Sequence, residues 1–251
     1  MLTASTAHHA SAVTVPAEHA PLELLDVHAG YGRIDVLHGV SVAVPRGGVA
    51  ALLGPNGAGK STTLGVMSGL IRPSRGCRHV QGRHVNGADA DELARIGICH
   101  VREGRSVFPN LSVLDNLRVA SSVGTPMERL TEVAFSLFPR LEERQKQLAG
   151  TLSGGERQML ALARGLGTDP AVLLVDELSM GLAPIIVGHL YEAVAQIAAT
   201  GVSVLVVEQF ATIGMRHASS VYVMARGRVT YAGPPDDAMD AVHAAYLGGQ
   251  A

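Results

Sequence analysis

From Leu22 onward the chain alternates apolar and polar positions over short stretches, Leu22 to Val27, Val40 to Val44 and Val49 to Leu53, with Gly-rich turns between them. A period of two over a few residues is the pattern of strands with one face buried, so strands are expected there. The apolar run Ala50 to Leu53 stops at a glycine-rich loop, and Lys60 to Leu70 then has helical spacing, giving the order strand, loop, helix. A second block, Leu111 to Leu148, carries helical patterning with a Glu/Arg/Lys-rich end at Arg140 to Lys146 and no strand signal. It predicts a helical subdomain, about residues 104–152, inserted in a core that spans 22–250. Beyond it come a helix (Gly155 to Gly165), a strand (Ala171 to Val175), a helix (Pro184 to Ala199), a strand (Val202 to Val207) and a hairpin turning at Arg226-Gly227. That alternation predicts an α/β fold with a mostly parallel sheet. No internal repeat is visible, which argues against two tandem copies of one unit.

Composition narrows the function classes. The 251 residues are 47% hydrophobic and 17% charged, ordinary for a globular chain. Twenty Lys plus Arg against 22 Asp plus Glu leave −2, with no polybasic run, so nucleic acid is not an expected partner. Cys77 and Cys99 are too few and too far apart for a disulfide framework or a zinc cluster, even with His79 and His100 nearby, and are read as reduced structural thiols. The apolar runs Val172 to Val175 and Val202 to Val207 are strand length, well short of the ~20 residues of a membrane helix. Any work at a membrane then requires partners that hold the chain there. Residues 1–21, rich in Ala, Ser, Thr and His, lack the basic and apolar regions of a signal peptide and read as a disordered extension.

The loop after the third strand is the first chemical signal. Gly54-Pro55-Asn56-Gly57-Ala58-Gly59-Lys60-Ser61 fits G-x-x-x-x-G-K-[ST] in the strand-to-helix context that the pattern needs. Its glycines let consecutive backbone N–H groups curve around phosphate oxygens, and the following helix adds its positive end. Lys60 is expected to neutralise the β- and γ-phosphates, with Thr62 in the same turn. Ser61 offers a hydroxyl to Mg²⁺, which prefers oxygen ligands. This motif says nucleotide and no more.

A second constellation decides the class. Thr151-Leu152-Ser153-Gly154-Gly155-Glu156 precedes a helix, and downstream the run Ala171-Val172-Leu173-Leu174-Val175 ends in Asp176-Glu177. Two carboxylates at the end of an apolar strand put Asp176 near the metal and Glu177 near the γ-phosphate. Taken alone, Ser-Gly-Gly reads as a flexible loop and Asp-Glu as a surface strand cap. In this order behind a phosphate loop, Asp176-Glu177 resembles the Walker B motif of ABC ATPases. Leu152 to Glu156 resembles their LSGGQ signature, with Glu in the last place.

The resemblance covers nearly everything from Leu22 to Gly249. It implies a P-loop NTPase fold: a RecA-like core, an N-terminal antiparallel β part and an inserted helical subdomain. Tyr31 matches the aromatic that stacks on adenine, the alternative being a Tyr packed beneath the first strands. Glu103, in Val101-Arg102-Glu103-Gly104-Arg105, matches the Q-loop position that senses γ-phosphate and metal. Ser179 to Pro184 matches the D-loop region, which crosses between subunits, and Gln209 stands where most cassettes have the switch histidine. Glu103-Gly104-Arg105, Phe138-Pro139-Arg140-Leu141, Gly181-Leu182-Ala183-Pro184, Val207-Glu208-Gln209 and Tyr246-Leu247-Gly248-Gly249 together resemble the LivF-type ATPase of branched-chain amino acid importers. Urea and amide importers use similar cassettes, so the cargo stays open between them. A soluble cassette acting in translation or DNA maintenance would carry two cassettes or a long coiled-coil insertion, and a GTPase would carry a guanine-reading Asn-Lys-x-Asp; neither is present.

The resemblance further implies ATP and Mg²⁺ as ligands and a peripheral position on the cytoplasmic face of a bacterial inner membrane. Its implied partners are two transmembrane permeases, a second ATPase (a paralogue or another copy of this chain) and, indirectly, an extracytoplasmic binding protein. The site it implies is completed by two subunits. Glu177 polarises water, Lys60 and metal absorb charge, Gln209 and Glu103 orient the γ-phosphate end, and Ser153, Gly154 and Gly155 cap the γ-phosphate from the partner. Three residues depart from the pattern: Arg102 and Leu178 stand where proline is usual, and Phe210 where Asn is frequent. Leu178 directly follows the proposed base, so loss of proline predicts a less rigidly aimed Glu177 and slower hydrolysis. Gln209 can orient by hydrogen bonds but cannot exchange a proton as His does.

Overall fold

The computed structural model describes residues 20–104, 106–122 and 124–247. In chain order the elements are β1 (Leu22–Tyr31), β2 (Ile34–Val44), β3 (Val49–Leu53), α1 (Lys60–Met67), β4 (Arg75–Val80), β5 (Arg83–His84), α2 (Ala90–Arg95) and β6 (Ile98–Val101). Then follow α3 (Val113–Ser121), α4 (Met127–Leu137), α5 (Pro139–Glu143), α6 (Gly154–Leu166), β7 (Val172–Asp176), α7 (Pro184–Ala199), β8 (Ser203–Glu208), α8 (Ala211–His217), β9 (Ser220–Ala225), β10 (Arg228–Gly233) and α9 (Met239–Leu247). They build two sheets: four strands in the order β2-β1-β4-β5, all antiparallel, and six in the order β10-β9-β3-β8-β7-β6, parallel apart from β10 on its edge.

The central strands read as continuous apolar runs because both of their faces are covered. Along β7, Val172 and Leu174 face the core shared with the antiparallel sheet and α1, while Leu173 and Val175 face the one shared with α6 and α7. β8 splits the same way, Leu205 and Val207 against Val204 and Val206. In β3, Ala50 and Leu52 join the first core, and Ala51 and Leu53 a third one closed by α8 and α9. Each fully buried Leu or Val contributes about 1.5–3 kcal/mol relative to exposure, so this two-sided register holds the strand ends firmly. Val113, Leu117, Leu130, Ala134 and Leu141, from α3, α4 and α5, pack into the same core as α6.

Several boundaries differ from the sequence expectation. β1 runs on to Tyr31 because register shifts around Leu24–Val27 and a left-handed Asp26 (φ 49°) interrupt the alternation without ending the strand. α1 stops at Met67 rather than Leu70, since Gly69 turns left-handed (φ 79°) where a Cβ would meet the Asp89 backbone at 2.7 Å. The hairpin at Arg226-Gly227 is present, both residues having positive φ as a tight turn between β9 and β10 requires. Of the extension read over 1–21, residues 1–19 lie outside the described residues. Pro21 is already built in: it is buried and its carbonyl accepts the Gln81 N–H at 3.1 Å. Among the described residues no helix is long and apolar enough to cross a membrane.

Candidate functional site

Four parallel strands end on one edge of the larger sheet, and their register fixes what leaves that edge together. Leu53 of β3 pairs with Glu208 of β8, Val207 with Asp176 of β7, and Val175 with Val101 of β6. The loop 54–59, the pair Asp176-Glu177, the residues Glu208-Gln209 and the segment Arg102-Glu103 therefore emerge side by side. The carboxyl edge of a parallel sheet is where ligands bind in this class of fold.

The loop needs its first glycine. At Gly54 (φ 157°) a Cβ would sit 2.4 Å from the Met224 carbonyl, so no side chain fits. The Ala58 carbonyl accepts the Gly227 N–H at 2.9 Å, which ties the loop to the β9–β10 hairpin. Lys60 is buried, and its Nζ donates to the carbonyls of Gly54 at 2.7 Å and Pro55 at 3.2 Å. Burial pulls its pKa below the ordinary lysine value, against the upward pull of Glu177, Asp176 and Glu208. Asn56, Gly57 and Ser61 lie exposed on the rim, whereas Thr62 is buried in the first turn of α1.

Asp176 ends β7 with its Oδ1 buried and without a hydrogen-bond partner. Burial and the neighbouring carboxylates of Glu177 and Glu103 push its pKa up to about 6, opposed by Lys60 and Arg102. An oxygen in that condition fits a hard cation, which would repay its desolvation. Glu177 adopts a left-handed backbone (φ 46°), uncommon for a side chain with a Cβ, and its N–H donates to the Val207 carbonyl at 3.0 Å. Leu178, where proline is usual, is completely buried in the core beside α6 and α7. Gln209 is half-buried, and its backbone carbonyl accepts a hydrogen bond from the Tyr246 hydroxyl of α9.

Leu152 to Glu156 stands apart from this cluster. Ser153 is the N-cap of α6, and a capping box closes there: Ser153 Oγ accepts the Glu156 N–H at 3.3 Å, while Glu156 Oε2 accepts the Ser153 N–H at 2.9 Å. Glu156 Oε1 also pairs with Arg144 at 2.8 Å. Burial raises the Glu156 pKa, but the Ser153 hydrogen bonds and the cations Arg144 and Arg140 outweigh it and hold the carboxyl below the ordinary range. Gly154 lies against Leu182, and Gly155 against Ile186, where a Cβ would approach to 2.4 Å. A cleft of about 290 Å³ is lined by Gly154 and Arg157 of α6, by Arg102 and Glu103, and by Met180 and Leu182. No hydrogen bond or ion pair among the described residues joins 152–156 to 54–62. Tyr31, 56% exposed at the tip of the β1–β2 hairpin, is not packed beneath the strands, so that alternative is set aside.

Sequence reading quoted Glu208, Ser179 and Tyr246 within larger motifs without bringing them together, and it missed Tyr191. Glu208 carried a signal: it is a carboxylate directly ending an apolar strand that must be buried on both faces. The other three have none, since nothing in their spacing says that they meet.

The fold and this edge define a P-loop nucleotide-binding core. The family model described as ABC transporter matches residues 37–179. The chain is 41% identical over 201 residues to the high-affinity branched-chain amino acid transport ATP-binding protein BraG of Pseudomonas aeruginosa, covering 79% of this chain and 86% of that one. It is 34% identical over 246 residues to the lipopolysaccharide export system ATP-binding protein LptB of Acidithiobacillus ferridurans, covering 91% and 97%. A solved ATP-binding subunit of an ABC transporter superposes with TM-score 0.77 at 28% identity over 88% of this chain and 93% of that one. The chain belongs to the ABC transporter family, as an ATP-binding, ATP-hydrolysing subunit.

Proposed function

We propose that this subunit energises an importer of branched-chain amino acids from the cytoplasmic face of the membrane, with two permeases, a second ATPase subunit and an extracytoplasmic binding protein as partners. The observation that carries the chemistry is the convergence of Lys60, Asp176, Glu177 and Glu103 on one sheet edge, close enough to perturb one another's charge. The 41% identity to BraG supports the cargo. A second reading, export rather than import, rests on the LptB similarity, which is lower in identity but longer in coverage. Urea or amide import remains the nearest alternative cargo for the same machine.

In this reading the loop 54–61 wraps the ATP phosphates with backbone N–H groups, and Lys60 exchanges its loop carbonyls for phosphate oxygens. Tyr31 offers its exposed ring to the adenine. Glu177 accepts a hydrogen bond from the in-line water, and Gln209 orients the γ-phosphate end. Ser61 and Asp176, with Glu103 beside them, would hold Mg²⁺, which when bound neutralises charge on the phosphate oxygens. Because 152–156 lies away from the loop in its own chain, Ser153, Gly154 and Gly155 would cap the γ-phosphate of a partner's ATP. The helical segment, about 104–152, stands next to the cleft near Glu103 and would receive the permease there.

Two measurements test this. General-base contributions run about 10²–10⁴-fold, so Glu177→Gln should lower ATP turnover by that range with ATP affinity retained; unchanged turnover removes Glu177 from the role. Capture of the tagged chain from native membranes should recover two permeases and an amino-acid binding protein, whereas recovery of a lipid exporter's subunits favours the second reading.

A further inference from the structure

Glu208 is a carboxylate with 1% exposure, an expensive group to bury in a strand otherwise filled by Val and Leu. All of its described partners are donors from other elements. Oε1 accepts the Ser179 N–H at 3.0 Å and the Tyr191 hydroxyl at 2.9 Å, and Oε2 accepts the Ser179 hydroxyl at 2.6 Å. Tyr191, on α7, is itself stacked on the His217 ring of α8, with centroids 5.1 Å apart.

The positions of these groups matter more than their number. Glu208 immediately precedes Gln209. Ser179 lies two residues after Glu177 and opens the exposed turn through Met180 and Gly181 (φ 72°). The Glu177 N–H is already bonded to the carbonyl of Val207, the residue before Glu208. The segment Glu177-Leu178-Ser179 is thus fastened to the end of β8 on both sides of the buried Leu178, at Val207 by backbone and at Glu208 by side chain. The first fastening is made by the left-handed Glu177, a conformation that persists only where its surroundings impose it. An apolar side chain at 208 would fill the space at less cost, but would leave the Ser179 end of this segment loose.

We propose that Glu208 is a positioning residue for hydrolysis: with Ser179 and Tyr191 it locks the turn after Glu177 to the strand that delivers Gln209, supplying the restraint that proline at position 178 would otherwise give. It does not touch nucleotide. It sets the direction of the two groups that do, and couples their geometry to the exposed 180–182 turn. The inference rests on the reading that Glu177 and Gln209 act at the γ-phosphate.

The test uses the full-length chain. Glu208→Leu fits a space between α7 and the sheet, and Glu208→Gln keeps Oε1 for Ser179 N–H and Tyr191 while its amide can donate to the Ser179 hydroxyl. Thermal midpoint, affinity for a fluorescent ATP analogue and kcat are measured for both and for Glu177→Gln. The expectation for Glu208→Leu is a folded protein with nucleotide affinity within about threefold and kcat lowered at least tenfold, and for Glu208→Gln a kcat restored to within about threefold of the unaltered chain. Should Glu208→Leu not fold, Tyr191→Phe with Ser179→Ala removes two donors from the same carboxylate and is expected to show the same split. Wild-type kcat in Glu208→Leu, or a loss of kcat matched by equal loss of nucleotide affinity, overturns the proposal. If Glu177→Gln keeps full turnover, the underlying reading has failed and the inference with it. If Glu177→Gln is impaired while Glu208→Leu is not, the inference alone has failed.

Discussion

The hydroxyl of Tyr246, on α9, donates its hydrogen bond to the backbone carbonyl of Gln209, the residue just beyond β8 and 37 positions earlier in the chain. Burial pushes the Tyr246 pKa up, a backbone contact with Gly54 opposes this, and Glu208 and Glu177 add to the rise. The phenol therefore lies between the phosphate loop and the Gln209 turn. Tyr246→Phe removes one hydrogen bond while keeping the ring. A net loss of about 0.5–1.5 kcal/mol is expected, with a thermal midpoint lower by roughly 2–5 °C. ATP turnover should fall by a few fold with a steeper dependence on nucleotide concentration. A variant with unaltered midpoint and kinetics would show that the contact is incidental.

The last signature position gives a sharper comparison. Glu156 closes a capping box that either Glu or Gln can close, and it adds a half-exposed ion pair with Arg144 that is worth little in solvent. Glu156→Gln should keep thermal stability within about 0.5 kcal/mol and leave ATPase close to the parent. Glu156→Ala opens the box, costs about 1 kcal/mol and lets the Ser153–Gly155 turn fray, so its ATPase should drop further than its stability. Equal ATPase in the two variants would detach the box from function.

Much of this site was legible because its parts are local. Gly54 to Ser61 and Asp176-Glu177 declare themselves by spacing, and the continuous apolar runs of β3, β7 and β8 say which edge they leave. The hairpin at Arg226-Gly227 was legible for the same reason. β4, β5 and β6 were not: Arg78 and His79 replace the apolar residues expected inside a strand, and the four residues Ile98–Val101 are too few to show a period. β1 was cut short by its irregular register near Asp26. The contacts that organise the site, Glu208 with Ser179 and Tyr246 with Gln209, join residues 29 and 37 positions apart, and only the tertiary fold brings them together.

Arg78 is the least expected residue of the core. It is completely buried on β4, and its guanidinium donates to the carbonyls of Val66 at 2.5 Å and of Val85 and Ala88 at 2.7 and 2.6 Å; the described residues offer it no ion pair. Burial accordingly pulls its pKa down. Two terms compete in Arg78→Met: relief of a buried charge, and loss of donors to three carbonyls at the end of α1 and in the loop before α2. The Val66 and Val85 carbonyls keep the Gly69 and Ala88 N–H groups as donors, so the second term is one orphaned carbonyl at about 1–3 kcal/mol plus two lost hydrogen bonds, and it should win by roughly 1–3 kcal/mol, read as a lower urea midpoint with unchanged slope. A stabilised Arg78→Met variant would reverse that ordering.

His100, on β6, supplies the pH dependence. Its Nδ1 lies 3.1 Å from Ser68 Oγ, its Nε2 is buried without a partner, and burial together with the positive charge of Arg102 lowers its pKa from 6.5 to about 4. The folded chain therefore holds this imidazole neutral while the unfolded chain binds a proton near pH 6.5. The stabilisation is present in full above pH 6.5 and is lost as pH falls through that value toward 4, with a ceiling of about 3 kcal/mol. His100→Gln cannot titrate and keeps a polar group toward Ser68. Urea unfolding of both chains from pH 7 to pH 4 should show the parent losing at least about 1 kcal/mol more than the variant over that window. Parallel curves would mean that His100 takes up its proton in the folded state as readily as in the unfolded one, and that the acid sensitivity of the chain lies in its carboxylates instead.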